Sequence, residues 1–167
     1  AMRQDIVMAN LTDKRGHVAE VFAGIRVLLN SRQYVDHSHS VLVVSSGPED
    51  GKPITACNLA IACAQRGMRT LLVDFDLRRP RIGRIFAIPD TSRRLAEILH
   101  KRDPSLFAQL PQKTACDNLH VIASRTIKNV NPSDIFGGGF VADFLAWARA
   151  NYDGVISLSA PNAMGEN

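Results

Sequence analysis

The sequence predicts an α/β fold of three layers, a mostly parallel sheet flanked by helices on both faces. Two observations carry this. Residues 41–44 (VLVV), 69–74 (RTLLVD), 119–123 (LHVIA) and 155–158 (VISL) are short, almost unbroken apolar runs. Strands buried on both faces read this way, whereas a half-solvated sheet alternates. The second observation is that these runs alternate with stretches of helical periodicity, the order that builds parallel sheets through helical crossovers. A chain of 167 residues, 46% hydrophobic and 22% charged, has globular composition and the size of one domain.

The elements follow in order. Residues 17–31 place Val18, Val21, Phe22, Ile25, Leu28 and Leu29 on one stripe of a helix. Residues 32–40 are polar and end it. The first strand, 41–44, runs into a Gly/Pro loop, and a helix is expected from 53 to 66, stopped by Gly67. The strand at 69–74 precedes a basic run. A helix at 91–101 carries Leu95, Ile98 and Leu99 on one side. The strand at 119–123 follows. The helix at 140–150 assigns Phe140, Phe144, Leu145 and Trp147 to the core, and the strand at 155–158 ends the pattern. Gly137-Gly138-Gly139 reads as a flexible joint, because no strand leads into it. Residues 1–16 are expected to be an extension or tag remnant, with Ala1-Met2 resembling a vector scar. Residues 17–167 are expected to form a single domain whose C-terminal part is absent.

Twenty basic and sixteen acidic residues give a net charge of +4, which permits an acidic partner without selecting one. No apolar run reaches the ~18–20 residues that a bilayer span needs, and no secretory signal is visible. Cys57, Cys63 and Cys116 show no metal-type spacing and read as reduced core thiols. His37-Ser38-His39 reads as a polar linker, and Tyr152, just before a strand, reads as structural.

Chemistry in such a sheet belongs at the carboxyl ends of the strands. After the first strand come Ser46-Gly47-Pro48-Glu49-Asp50-Gly51-Lys52-Pro53-Ile54. Strand, loop with Gly-Lys, then helix is the layout of a phosphate-binding P-loop. Backbone N–H groups cradle phosphate, the lysine reaches its outer oxygens, and the next hydroxyl holds Mg²⁺. Here position 53 is Pro, which removes that hydroxyl and one N–H donor while remaining a comfortable helix start. Glu49 and Asp50 would oppose a polyphosphate if turned inward. At the second strand end, Asp74-Phe75-Asp76-Leu77-Arg78-Arg79-Pro80-Arg81 places two carboxylates before a basic run that continues to Arg84.

From about residue 17 to 161 the chain resembles the bacterial tyrosine kinases of capsule and exopolysaccharide synthesis, within the wider MinD/ParA-like group of P-loop ATPases. The resemblance rests on Gly51-Lys52, Asn58-Leu59-Ala60, the 74–81 segment, Arg81-Ile82 with Phe86, Asn131-Pro132-Ser133-Asp134 and Tyr152-Asp153-Gly154-Val155-Ile156. It implies a P-loop NTPase-like fold, and a Walker A loop with Pro48, Gly51, Lys52, Pro53, Ile54 and Arg78 near nucleotide. It also implies Lys52, Asp74 and Asp76 as the catalytic set, vestigial or impaired here. Glu20 and Arg26 match charged positions of the family's oligomerisation helix, with Ala23 in place of an arginine.

The last strand departs from the family pattern, since Leu158 stands where the Walker B aspartate is expected. Positions 53 and 158 are both magnesium-handling positions, so no metal ligands are assigned and Mg²⁺ binding is expected to be lost. Whether ATP or ADP still binds is left open. Tyr34 and Tyr152 are the only tyrosines, so the family's tyrosine cluster is not seen. The expected function is therefore a degenerate tyrosine-autokinase-like domain. It would regulate polysaccharide synthesis or export by contacting a membrane co-polymerase or chain-length regulator. Its expected location is cytoplasmic, peripheral to the inner membrane through that partner. Homo-oligomerisation through the Glu20/Arg26 helix is open, and no nucleic acid is expected. Two alternatives stand beside it: an active ATP-dependent tyrosine autokinase, and a ParA/MinD-like positioning ATPase.

Overall fold

Five strands make one sheet in the order β1-β5-β2-β4-β3. The computed structural model describes residues 39–43, 52–76, 79–89, 97–98, 100–123 and 139–158. The strands are β1 (His39–Val43), β2 (Thr70–Asp74), β3 (Gln112–Lys113), β4 (Leu119–Ile122) and β5 (Gly154–Leu158). The helices are α1 (Lys52–Ala64), α2 (Ile82–Ile85) and α3 (Phe140–Asn151), with a 3₁₀ segment at Pro104–Gln109. The first four strands of that order run parallel, and only β3 is antiparallel, on β4.

The parallel three-layer class is as expected, and its cause is visible in the side-chain alternation. Leu72, Leu119, Val121, Ile156 and Leu158 point to one face and pack with α1 and with Ile82 and Ile85 of α2. Leu71, Val73, Ile122 and Val155 point to the other face, against Phe107, Phe140, Phe144 and Ala148. Every residue of β2 and of β5 is buried, so neither strand can show a polar face in its sequence. The second layer is aromatic: Phe107 meets Phe140 and Phe144 edge-to-face, with ring centroids 5.4 and 5.5 Å apart. Phe144 is core, but Trp147, expected there too, is only half-buried at its margin.

Boundaries moved where backbone pairing outweighs side-chain type. β1 begins at His39, inside the stretch read as a polar linker, because His39 and Ser40 pair with Gly154 and Val155. Gly67 does end the first helix region, at φ +83°, which an L side chain resists. Gly139 plays the matching part before α3, at φ +79°. The helix at 17–31, the tetrad 131–134, residues 90–96, Gly137-Gly138 and residues 159–167 lie outside the described residues. Among the described residues no helix is long and apolar enough to cross a membrane. All three cysteines are free and buried.

At the amino ends of the strands, Arg69 is tied to Asp153. Its backbone N–H donates to Asp153 Oδ2 at 2.8 Å and its guanidinium Nη2 to Oδ1 at 3.1 Å. Asp153 and Gly154 return N–H bonds to the Arg69 carbonyl at 2.8 and 3.1 Å. The side chains are largely solvated, so Arg69→Ala is expected to cost less than about 1 kcal/mol in urea unfolding. A loss several times larger would show that the pair organises the sheet rather than decorating it.

Candidate functional site

β5 lies between β1 and β2, and its last residue joins both neighbours at the carboxyl rim. Leu158 is the register partner of Val43 on one side and of Asp74 on the other. The Phe75 N–H donates to the Leu158 carbonyl at 2.8 Å, so the rim stays closed one residue past the ladder. The Leu158 side chain is buried in the same apolar cluster as α1. α1 itself opens at Lys52. Residues 44–51, including Pro48, Gly51, Glu49 and Asp50, lie outside the described residues, as do the Lys52 side chain and Arg78.

Asp74 is the most committed group at this rim. Its Oδ1 accepts the Asp76 N–H at 3.0 Å, and its Oδ2 accepts those of Arg81 at 2.9 Å and Ile82 at 3.2 Å. α2 has no side-chain cap of its own, so a carboxylate seven and eight residues upstream does that work. The side chain is almost wholly buried. Burial pushes its pKa up to about 6, against the backbone N–H bonds that pull it down, and the neighbouring Asp76 charge adds to the rise.

Asp76 is half-buried and its Oδ1 accepts the Arg79 N–H at 3.1 Å, holding the start of the basic run. Asp74 and Asp76 are thus brought together by a backbone bond, and Asp74 and Leu158 by register. Pro53 and Ile54 sit half-buried in the first turn of α1, and Thr55 faces solvent. Pro53 offers neither an N–H nor a hydroxyl there. Cys57, deeper on α1, has its thiol pKa pushed well up by burial and by the Asp74 charge, so it is held as an inert thiol. The Oδ1 of Asn58 is buried without a hydrogen-bond partner. Of the basic run, Arg79 and Arg84 are exposed and Arg81 is half-buried. Among the described residues no three His, Cys, Asp or Glu side chains gather to hold a metal ion.

What the sequence missed here is the pair of amides at Arg81 and Ile82, which take one oxygen of Asp74. No side-chain type announces them. They appear only when the loop after β2 folds back.

No family model matches the chain. The tyrosine-protein kinase YwqD of Bacillus subtilis is 30% identical over 151 residues, covering 90% of this chain and 62% of YwqD. The succinoglycan biosynthesis transport protein ExoP of Rhizobium meliloti is 35% identical over 66 residues, 40% of this chain and 8% of ExoP. Among solved structures, the chimerical protein CapA2B2 superposes with a TM-score of 0.77 at 28% identity, covering 93% of this chain and 66% of that one. The kinase domain of Escherichia coli Etk superposes at 0.73 with 24% identity, covering 87% and 55%. MinD of Pyrococcus horikoshii shares the fold, at 0.57 and 17% identity over 71% of this chain and 47% of that one. The chain spans 62% of YwqD, so it matches somewhat under two thirds of that relative's length.

Proposed function

We propose, from the premise that the homologues of this chain are bacterial tyrosine-protein kinases, that it is a kinase-like domain serving capsule or exopolysaccharide synthesis through protein contacts, with its Mg·ATP chemistry weakened or lost. The observation that carries this reading is Leu158. It lies buried between Val43 and Asp74, at the strand end where the resemblance places a metal-organising aspartate. A leucine there can neither accept a hydrogen bond nor orient a metal-bound water.

The other residues support the same reading. Pro53 supplies no hydroxyl for a cation, and the Asp74 oxygens already accept three backbone N–H groups. Neither Pro53 nor Leu158 offers a side-chain ligand to Mg²⁺. Phosphate is a separate matter. Lys52 opens a 13-residue helix, and Gly51-Lys52 are the residues that would hold a nucleotide's phosphates. The partner in this reading is a membrane co-polymerase of the same synthesis, which would place the domain on the inner face of the membrane. An active kinase is the second reading, favoured by the 30% identity to YwqD.

The discriminating experiment is a calorimetric ATP titration with and without Mg²⁺, run beside an autophosphorylation assay. The expected result is weak binding that Mg²⁺ leaves unchanged, and no phosphotyrosine. Micromolar binding that requires Mg²⁺, with phosphotyrosine formed and lost in Lys52→Met, would establish the second reading instead.

A further inference from the structure

At the rim opposite Asp74 lies a groove of about 530 Å³. It is built from residues that precede the strands: Arg69 before β2, Asn118 before β4 and Tyr152 before β5, with Lys113 contributed by β3. Five-residue strands separate it from the Asp74 rim by roughly 17 Å, about 3.3 Å for each residue. It is therefore a separate place on the molecule, and a ligand held there is independent of how the phosphate loop is read.

Its wall is aromatic. His120 and Tyr152 meet edge-to-face at 5.7 Å, and Trp147 meets Tyr152 at 6.2 Å. The Tyr152 hydroxyl is bonded to His120 Nδ1 at 2.9 Å, which leaves Nε2 as the second ring nitrogen. Two of its polar side chains, Arg69 and Lys113, are cationic. The Lys113 ammonium has no ion-pair partner among the described residues. Arg69 turns Nε and Nη2 to Asp153 and keeps Nη1. No carboxylate is among the lining residues.

Two helices end at this rim, and their carbonyls would repel an anion if left bare. They are not bare. The Ala64 carbonyl accepts from Gly67 N and from Asn118 Nδ2, at 2.9 and 3.3 Å. The Ala148 carbonyl accepts from Tyr152 N at 2.9 Å, and the Trp147 carbonyl from Asn151 Nδ2 at 2.8 Å. Those three carbonyls are occupied while cations remain, beside an aromatic wall.

We propose that this groove binds a small aromatic anion, a single planar ring carrying a phosphate or carboxylate, with the ring on Trp147 and the acidic group on Lys113. A volume of this size suits a small ligand. Ring and charge are both needed: Lys113 alone is one exposed ammonium in water, and the aromatic wall alone is an ordinary core margin.

Trp147 is the only tryptophan of the chain, so its fluorescence reports the groove directly. The probe is phenyl phosphate, with inorganic phosphate and phenol as separate arms and benzoate to test the carboxylate. Phenyl phosphate should quench Trp147 saturably, and each half-molecule alone should bind about tenfold or more weakly. Lys113→Gln, at an exposed edge position, should weaken phenyl phosphate about fivefold or more. Lys52→Met should leave the titration unchanged. The proposal is overturned by quenching that never saturates, by equal affinity in Lys113→Gln, or by loss of binding in Lys52→Met, which would put the ligand on the phosphate loop.

Discussion

Leu158→Asp, introduced alone, is expected to destabilise the fold by about 3–5 kcal/mol, read as a lowered urea midpoint. The side chain is buried in the apolar cluster of α1, Leu72 and Ile156, so the new carboxylate would leave water for apolar surroundings. It would also stand beside its register partner Asp74, whose carboxyl is already pushed up to about 6 by burial. Pro53→Ser alone should cost less than about 1 kcal/mol, since it relaxes one backbone restriction at a helix start. The pair together tests the proposed function. If the proposed loss of metal chemistry rests on these two positions, Mg·ADP should restore stability to the double variant only. At a ligand concentration of 100 times Kd the gain is about 2.7 kcal/mol. A wild-type protein showing the same Mg-dependent rise would end the proposal of lost metal chemistry, and an undamaged Leu158→Asp would mean that the rim is open to water.

The difference between what was legible and what was not follows the range of the forces involved. β2, β5, α1 and α3 could be read because their burial is written into their own residues, as continuous apolar runs or as a 3.6-residue stripe. β3 could not, because Gln112 and Lys113 show no period and exist as a strand only through pairing with Val121 and His120. α2 is four residues long and rests on a carboxylate from another element. The 3₁₀ segment is set by Asp103, whose Oδ1 accepts the Ser105 N–H at 2.9 Å, with Pro104 following. At the site, the strand end and helix start pointed to Asp74, Asp76 and Pro53, and the family resemblance pointed to Leu158. The work Asp74 does was not readable, since it depends on where a loop returns. The groove of Trp147 and Lys113 was less readable still. Its residues come from separate stretches between 69 and 152, and each looks ordinary alone.

Asp74→Ala should produce the second large loss, about 2–4 kcal/mol at neutral pH. Three backbone N–H groups lose their acceptor at once, two of them at the start of α2. Asp74→Asn separates charge from shape, because the amide keeps one oxygen and turns an NH₂ toward N–H donors. It should still cost about 1–3 kcal/mol at neutral pH. The pH profile then identifies the charge. The folded-state pKa of about 6 lies above the ordinary value of 3.8, so the folded protein holds this proton more tightly than the unfolded chain. Its contribution to stability is therefore greatest below about pH 4, falls as pH rises to about 6, and is constant above that. A shift of this size corresponds to about 3 kcal/mol between the two limits. Asp74→Asn cannot titrate, so its urea stability should lack that fall between pH 4 and 6. Asp153, held below the usual carboxylate range by Arg69, works in the opposite sense and loses its contribution as pH drops. The difference between the wild-type and Asp74→Asn profiles cancels it. Parallel profiles would mean that Asp74 is ionised throughout and belongs to a wetter, more open rim, where it would be free to serve a ligand.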